Sequence, residues 1–179
     1  VDTWRHKTVA TNISDNSWNS VCWAPEVSTF VAVGKDSDVS GVMTSPDGVN
    51  WTERIPPENN SWNSVCWAPE LYTFVAVGKA SDVSGVMTSS DGFNWTDVSA
   101  GGTKSWQSVC WATELSTFVA VASDQNGVMT SPNGTEWTSR TAPEDNSWNS
   151  VCWAPEVSTF VAVASSGTNR VMTSSDGAN

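Results

Sequence analysis

The sequence predicts an all-β fold, a β-propeller with four four-stranded antiparallel blades, on the strength of three observations. One unit recurs four times: "SWNSVCWAPEVSTF" starts at Ser17, and near-copies start at Ser61, Ser105 and Ser147, at spacings of 44, 44 and 42 residues. Each of the first three units holds four short runs of strand-forming residues, and no segment shows the 3.6-residue apolar period of a helix. Such a repeat is typical of a propeller blade, so we expect one domain, 1–179.

The elements of the first unit follow in order. Residues 18–24, "WNSVCWA", alternate with the period of two expected of a strand, and "APEVS" is a short turn with an early proline. "TFVAV" (29–33) is the second strand, "GVMTS" (41–45) the third and "NWTERI" (50–55) the fourth. A DG pair between the third and fourth strands predicts a tight hairpin, because glycine tolerates the positive φ that the turn demands.

The turn between the third and fourth strands carries a motif, S-x-D-G-x-x-W, with Ser45, Asp47, Gly48 and Trp51 in its first copy. It resembles the Asp-box of bacterial-neuraminidase-type propeller repeats, one residue shorter than the commonest form. The resemblance implies a structural role: the carboxylate accepts hydrogen bonds from turn amides, and the tryptophan packs between sheets. In the third of the four copies Asn133 stands in place of the aspartate. The residues of the later copies are Ser89, Asp91, Gly92, Trp95, Asn133, Gly134, Trp137, Asp176 and Gly177.

The last copy of this motif lacks its tryptophan, while Trp4 is the one tryptophan of twelve outside the repeat register. Trp4 stands where a fourth strand would precede the first unit. We therefore expect residues 2–8 to pair as the outer strand beside residues 169–175 and to close the ring. Closure within one chain is favoured because the strand inventory then balances. A strand-exchanged pair of chains or a larger ring is the alternative.

Composition limits the partners. With 19 acidic and 8 basic residues the formal net charge is −11, which opposes binding to nucleic acid or to an anionic membrane, because either needs a basic patch. A cationic partner is compatible with this charge. No apolar run is long enough to span a bilayer, and the first residues lack the apolar core of a signal peptide, so the sequence gives no cellular address.

The sequence lacks the arrangements of residues that catalysis would require. Sialidases, the enzymes that the Asp-box resemblance suggests, need three clustered arginines and a tyrosine nucleophile. The only tyrosine here is Tyr72, which is predicted in a turn or at the start of a second strand. The single histidine, His6, falls in the predicted closing strand, and no phosphate-binding loop is present. We expect no enzyme activity and no cofactor. The arginines, predicted in outer strands or loops at non-equivalent positions, are Arg5, Arg54, Arg140 and Arg170.

Two sets of equivalent residues could form rings. The four cysteines lack the spacing of a metal site and are expected to be free, small buried hydrophobes. The glutamates of the "APE" turns could hold a cation but are expected to be solvated turn residues. The loops between the second and third strands lack a calcium-loop spacing. The cysteines are Cys22, Cys66, Cys110 and Cys152, and the glutamates are Glu26, Glu70, Glu114 and Glu156. The aspartates of the loops between the second and third strands are Asp36, Asp38, Asp82 and Asp124.

The strand-opening tryptophans are the strongest candidates for ligand binding. If exposed, each would offer a flat apolar face beside an amide side chain, a combination suited to a sugar ring. The alternative is that they pack in the core, as tryptophans repeated in one register commonly do. The candidate residues are Trp18, Trp62, Trp106 and Trp148 with Asn19, Asn63, Gln107 and Asn149.

Two functional hypotheses remain. The first is a non-catalytic structural or interaction scaffold, either engineered or recently amplified from one repeat, with another protein as partner. The alternative is a lectin-like propeller that carries several weak glycan sites and gains strength from multivalency.

Overall fold

The computed structural model describes residues 3–4, 17–35, 41–58, 60–79, 85–100, 104–124 and 127–179. These residues form four antiparallel sheets, one for each sequence repeat, in the order in which the repeats occur. The predicted all-β fold with four blades is therefore confirmed. In the described part of the chain, no helix is long and apolar enough to cross a membrane.

Each sheet is a simple meander in which consecutive strands are neighbours. The strands of blade 1 are β1 (Ser17–Ala24), β2 (Thr29–Lys35), β3 (Val42–Ser45) and β4 (Thr52–Arg54). Those of blade 2 are β5 (Ser61–Ala68), β6 (Thr73–Lys79), β7 (Val86–Ser89) and β8 (Thr96–Asp97). Those of blade 3 are β9 (Trp106–Ala112), β10 (Thr117–Ala122), β11 (Gly127–Ser131) and β12 (Thr138–Thr141). Those of blade 4 are β13 (Trp148–Ala154), β14 (Thr159–Ala164) and β15 (Val171–Ser174).

The first two strands of every blade are joined by a single 3-10 turn. In three blades proline opens this turn, where its fixed φ fits and its missing N–H costs nothing. A residue in the left-handed region ends it, and its N–H bonds back to the first residue of the turn, as from Ser28 to the Pro25 carbonyl. The turns are Pro25–Val27, Pro69–Leu71, Thr113–Leu115 and Pro155–Val157.

A β-bulge interrupts the innermost strand of each blade one residue after its first tryptophan. In blade 1, Trp18 pairs with Gly34 and Ser20 pairs with Val33, so Asn19 is the extra residue. The same shift falls at the equivalent place in the other three blades. A bulge leaves one residue out of the ladder and redirects it, so the amide side chain at this position is not held in the regular alternation of the strand.

Successive blades pack a tryptophan-rich face against a valine-rich face. The valine face of blade 1 consists of Ala24, Val31, Val33 and Val42. The tryptophan face of blade 2 covers it with Trp62, Val65, Trp67, Phe74, Ala76, Met87 and Trp95. The equivalent residues meet between blades 2 and 3 and between blades 3 and 4. Burial of these apolar faces is the main force holding the blades together.

The two end faces of the four-blade array are open. On the tryptophan face of blade 1, Val21 is 59% exposed, whereas its equivalent Val65 in blade 2 is 5% exposed. On the valine face of blade 4, Val171 is 61% exposed, whereas Val86 in blade 2 is fully buried. The four blades therefore form an arc, in which blades 1 and 4 do not cover each other.

Of the predicted closing strand, residues 2–8, the structure describes Thr3 and Trp4. Blade 4 has three strands among the described residues. Trp4 is described, belongs to no strand and is fully exposed. The other residues expected in the closing strand, residue 2 and residues 5–8, lie outside the described residues. In the arc, the exposed face of blade 4 does not lie against blade 1, as the exposure of Val171 and Val21 shows.

Candidate functional site

The turn between the third and fourth strands is held by its serine and aspartate. In blade 1 the Ser45 hydroxyl accepts the N–H groups of Asp47 and Gly48 and donates to Asp47 Oδ1 at 3.0 Å. Asp47 Oδ1 in turn accepts the N–H groups of Val49 and Asn50, both at 2.8 Å. Equivalent bonds form in blades 2 and 4. The carboxylate is thus used to close the turn.

These hydrogen bonds change the acidity of the carboxyl groups. The N–H of Asn50, followed by that of Val49, lowers the pKa of Asp47, because both bonds favour the ionised form. The N–H of Ala178 likewise lowers the pKa of Asp176. At Asp91 burial opposes ionisation, but the bonds from Asn94 and Phe93 lower the pKa overall. Asn133 fills the same place in blade 3 and accepts the same two N–H bonds without a charge.

The glycine of this turn touches the preceding blade. Gly134 has a φ of +79°, and a Cβ built there would lie 2.9 Å from Val75 Cγ2 of blade 2. The tryptophan that follows donates its indole N–H back to the glycine carbonyl, as from Trp137 to Gly134 at 2.8 Å. Glycine is therefore required both for its backbone conformation and for blade-to-blade contact. The turn is a packing device between sheets.

The strand-opening tryptophans do not form four exposed ligand sites. Trp62, Trp106 and Trp148 are 1%, 2% and 0% exposed, because the preceding blade covers them. Trp18 is only partly buried, since no blade precedes it. The sequence left exposure and core packing open, and for these three residues the structure shows core packing. Their indole nitrogens are buried without an acceptor among the described residues.

The amide side chains beside these tryptophans link neighbouring blades. Asn19 Nδ2 donates to the carbonyl of Trp62 at 2.9 Å, and Asn63 Nδ2 donates to that of Trp106 at 2.7 Å. Gln107 departs from this pattern, because its Nε2 donates to groups of its own blade at Ser105 and Ser123. Asn149 is exposed on the last blade, where its Oδ1 accepts a long bond from the Ser165 hydroxyl. Asn19 and Asn63 therefore join neighbouring blades, whereas Gln107 and Asn149 bond within their own blades.

The glutamates of the 3-10 turns join the blades at a second point. Trp67 Nε1 donates to Glu26 Oε2 at 2.7 Å, so the carboxylate of blade 1 holds the second tryptophan of blade 2. Trp111 and Glu70 form the same pair at 2.9 Å, and Trp153 and Glu114 at 2.7 Å. The sequence prediction of solvated turn residues missed this role. The signal available in the sequence was the recurrence of a glutamate 41, 41 and 39 residues before the second tryptophan of the next unit.

A serine of the innermost strand makes the third link. The Ser20 hydroxyl accepts the N–H of Val65 at 3.2 Å. Ser64 and Ser108 accept the N–H groups of Val109 and Val151 in the same way, each at 3.2 Å. The three links run in one direction along the chain: the amide, hydroxyl and carboxylate belong to one blade, and the backbone and indole groups belong to the next.

The cysteines follow one another along the innermost strands as free thiols. Burial raises the pKa of Cys22 and of Cys110 to about 12, and raises that of Cys66 as well. These thiols are therefore protonated at neutral pH, which disfavours both nucleophilic attack and metal ligation. Cys152 is exposed on the last blade. Among the described residues, no three histidine, cysteine or acidic side chains come together as a metal site would require.

The remaining residues singled out in the sequence are scattered. Arg54 donates to Thr44 within its own blade and stacks on Phe93, with 4.3 Å between the guanidinium carbon and the ring centroid. Tyr72 ends a 3-10 turn and is exposed. Asp124 accepts the N–H of Ser105. Arg5, His6, Asp36, Asp38 and Asp82 lie outside the described residues.

An apolar pocket of about 310 Å³ lies between blades 3 and 4. It is bordered by Val119, Val121 and Val128 of the valine face, and by Phe160, Ala162 and Met172 across from them. Between blades 1 and 2 the equivalent cluster contains Trp95 together with Val31, Val33, Val42, Phe74, Ala76 and Met87. The pocket is thus the position at which a tryptophan follows the turn in the other three blades.

No protein-family model matches the chain, and no curated protein sequence does. Solved structures match at the level of the fold. A chain of the nidogen/laminin complex is 13% identical, with a TM-score of 0.72 over 91% of this chain and 62% of that one. The GH74 enzyme of Niastella koreensis is 16% identical, with a TM-score of 0.70 over 97% and 31%. YCF48 bound to D1 peptide is 16% identical, with a TM-score of 0.61 over 95% and 56%.

These likenesses show a β-propeller fold, as the sequence predicted. The chain spans less than two thirds of each of these solved chains. Their identities are too low to transfer any activity.

Proposed function

We propose that this chain is a non-catalytic propeller scaffold that binds a protein partner with a basic surface. The main support for the proposal is that the repeated polar groups already have structural roles in the fold. Asp47 and its equivalents close turns, and Glu26, Asn19 and Ser20 with their equivalents join blades. The residues that recur most faithfully are therefore explained by the fold. The relationship to the Asp-box repeats supports this structural reading of the turn and is itself part of the proposal.

The binding face is the end of the blades where the sequence varies. In a four-stranded meander the Asp-box turns and the 3-10 turns lie at one end, and the connections between strands two and three and between blades lie at the other. In blades 3 and 4 the latter connections support each other: Asn146 Nδ2 donates to the Asn169 carbonyl, and Glu144 Oε2 accepts the N–H of Asn169. Ordered connections that differ between blades suit specific recognition.

Charge gives the chemistry of the partner. A net charge of −11 accelerates encounter with a basic surface and repels acidic ones. Two of the similar solved chains come from complexes with a protein or a peptide: one from the nidogen/laminin complex, the other YCF48 bound to D1 peptide. They support a protein as the class of partner for this chain.

The lectin alternative is supported at one place. Trp18, Asn19, Met43 and Trp51 border a groove of about 400 Å³ on the open face of blade 1. The other three strand-opening tryptophans are buried, so the multivalency expected of four equivalent sites is lost.

A parallel screen separates the two functions. The chain is applied to an array of basic, neutral and acidic peptides and to a glycan array, each at low and at physiological salt. We expect binding to basic peptides that weakens with salt, and Asp145→Asn on the variable end should weaken it further. Asp176→Asn, the same charge change at the Asp-box end, is the matched control and should leave peptide binding unchanged. Glycan binding lost on Trp18→Ala would favour the lectin, and no binding to either array would contradict both.

A further inference from the structure

The contacts between blades are directional, so each end of the chain carries one half of an interface. Three times in the structure, an amide, a hydroxyl or a carboxylate of one blade meets a backbone or indole group of the next. On blade 4 the side-chain half consists of Asn149, Ser150 and Glu156. On blade 1 the backbone and indole half consists of the Trp18 carbonyl, the Val21 N–H and the Trp23 indole N–H. Among the described residues, neither half meets the other within the chain.

The apolar surfaces at the two ends match in the same sense. Blade 1 leaves Val21 and Trp23 exposed on its tryptophan face, and blade 4 leaves Val163 and Val171 exposed on its valine face. Inside the arc these two kinds of face cover each other three times. Exposed contiguous apolar surface rimmed by polar groups is characteristic of an interface. The exposed faces of blades 1 and 4 match the blade-to-blade interface that occurs three times within the chain.

The pocket beside Met172 indicates that Trp4 takes part in this interface. In blades 1 to 3 the strand that follows the Asp-box turn leads directly into the innermost strand of the next blade. Trp4 precedes β1 in the sequence, as Trp51 precedes β5, so it belongs beside the blade that blade 1 docks upon. Blade 4 of the same chain is not next to blade 1, and a second copy of the chain can supply that blade.

We propose that a second copy of this chain docks its blade 1 on blade 4, and that Trp4 of the second copy fills the pocket lined by Val119, Phe160 and Met172. The same contact repeated at the other end closes a ring of two chains. Propellers commonly have four to eight blades, and two arcs of four give eight, whereas three arcs would exceed that range. A head-to-tail interface that closes in this way leaves no open sheet edge.

The expected contacts follow from the interior of the arc. Glu156 accepts the indole N–H of Trp23 of the second copy, as Glu114 accepts that of Trp153. Ser150 accepts the N–H of Val21 of the second copy, as Ser108 accepts that of Val151. Asn149 donates to the Trp18 carbonyl of the second copy, as Asn63 donates to that of Trp106.

Sedimentation equilibrium of the full chain across micromolar concentrations tests the proposal. We expect twice the chain mass of 19.1 kDa. Trp4→Ala should weaken the pair at least roughly tenfold, because a tryptophan anchored in a pocket is typical of an energetic hot spot. Since Trp4 is exposed in the single chain, its removal should leave the far-ultraviolet circular dichroism unchanged.

Two serine variants provide a crossed control. Ser150→Ala should weaken the pair while leaving the unfolding of the separated chain unchanged, because Ser150 is at the open end. Ser64→Ala, the same change inside the arc, should lower the unfolding midpoint while leaving the affinity of the pair unchanged. A single-chain mass at all concentrations would overturn the proposal, whether the chain stays open or closes with its own Trp4. So would a higher polymer, or a pair that is insensitive to both Trp4→Ala and Ser150→Ala.

Discussion

At the scale of single residues, each turn between the third and fourth strands is held by one carboxylate or amide oxygen that accepts two successive N–H groups. Asp91 Oδ1 does so with Phe93 and Asn94 at 2.7 and 2.8 Å. Asn133 does so with Thr135 and Glu136 at 3.0 and 2.9 Å. The oxygen geometry therefore matters more than the charge. The sequence placed these residues correctly in the hairpin, because aspartate and asparagine before glycine favour turns.

Replacement of Asp91 by alanine should destabilise the fold. Two turn N–H groups lose their acceptor, and with allowance for partial solvent exposure we expect a loss of about 1–2 kcal/mol in the free energy of unfolding. Asp91→Asn should cost less than about 1 kcal/mol, because blade 3 already uses asparagine there. Urea unfolding at neutral pH measures both. Equal losses for the two variants would show that the charge, rather than the acceptor geometry, is responsible.

The aspartates also give the fold an acid dependence. Hydrogen bonds from turn N–H groups lower the pKa of Asp47 and Asp176, and the pKa of Asp91 is lowered despite partial burial. A folded-state pKa below the unfolded value stabilises the fold above the unfolded pKa, about 3.9 for aspartate. That stabilisation is lost as pH falls through the folded pKa.

We therefore expect the urea midpoint to fall as the pH is lowered below about 4. The triple variant Asp47→Asn, Asp91→Asn, Asp176→Asn should show a flatter decline over the same range. If the variant and the wild type decline in parallel, other carboxyl groups control the acid sensitivity. Asn133→Asp provides the reverse test, because it should add one more acid-sensitive turn and steepen the decline.

At the scale of elements, the inner strand and its bulge determine how blades meet. The strands themselves were predictable, since alternation and β-branched residues are local signals. The bulge was not, because the residue at its centre, asparagine or glutamine, gives no signal in the strand alternation. For the same reason the sequence offered Asn19 and its equivalents as ligand contacts, whereas the structure turns Asn19 and Asn63 toward the next blade.

Loss of one bulge side chain should loosen one blade interface. Asn63→Ala leaves the Trp106 carbonyl without its donor at a partly buried position, and we expect a cost of about 1–2 kcal/mol in unfolding free energy. Gln107→Ala, the matched change, removes only bonds within its own blade and should cost about half as much. Denaturant unfolding of the two variants side by side gives the comparison. A larger loss for Gln107→Ala would mean that the amide works within the blade and not between blades.

At the scale of the whole molecule, four nearly identical blades produce an arc with two unlike ends. The number of blades could be counted in the sequence, and Trp4 could be matched to the missing strand. Which blade Trp4 completes could not be predicted, because the repeat fixes neighbour contacts but carries no information on the curvature of the ring. Curvature arises from the sum of many small packing angles between faces such as those of Val65 and Val31. That the blades form an open arc is visible only in the structure, from the exposure of Val21 and Val171.

We propose above that the two ends of the arc are the two halves of one repeated interface. A crystal structure of the full chain, at a resolution that places indole and carboxylate groups, tests it most directly through the surroundings of the Trp23 indole nitrogen. We predict that this nitrogen lies within hydrogen-bond distance of the Glu156 carboxylate of a second copy, as Trp67 lies from Glu26 at 2.7 Å. A Trp23 indole that is bonded to Glu156 of its own chain, or that remains open to solvent, would contradict the claim.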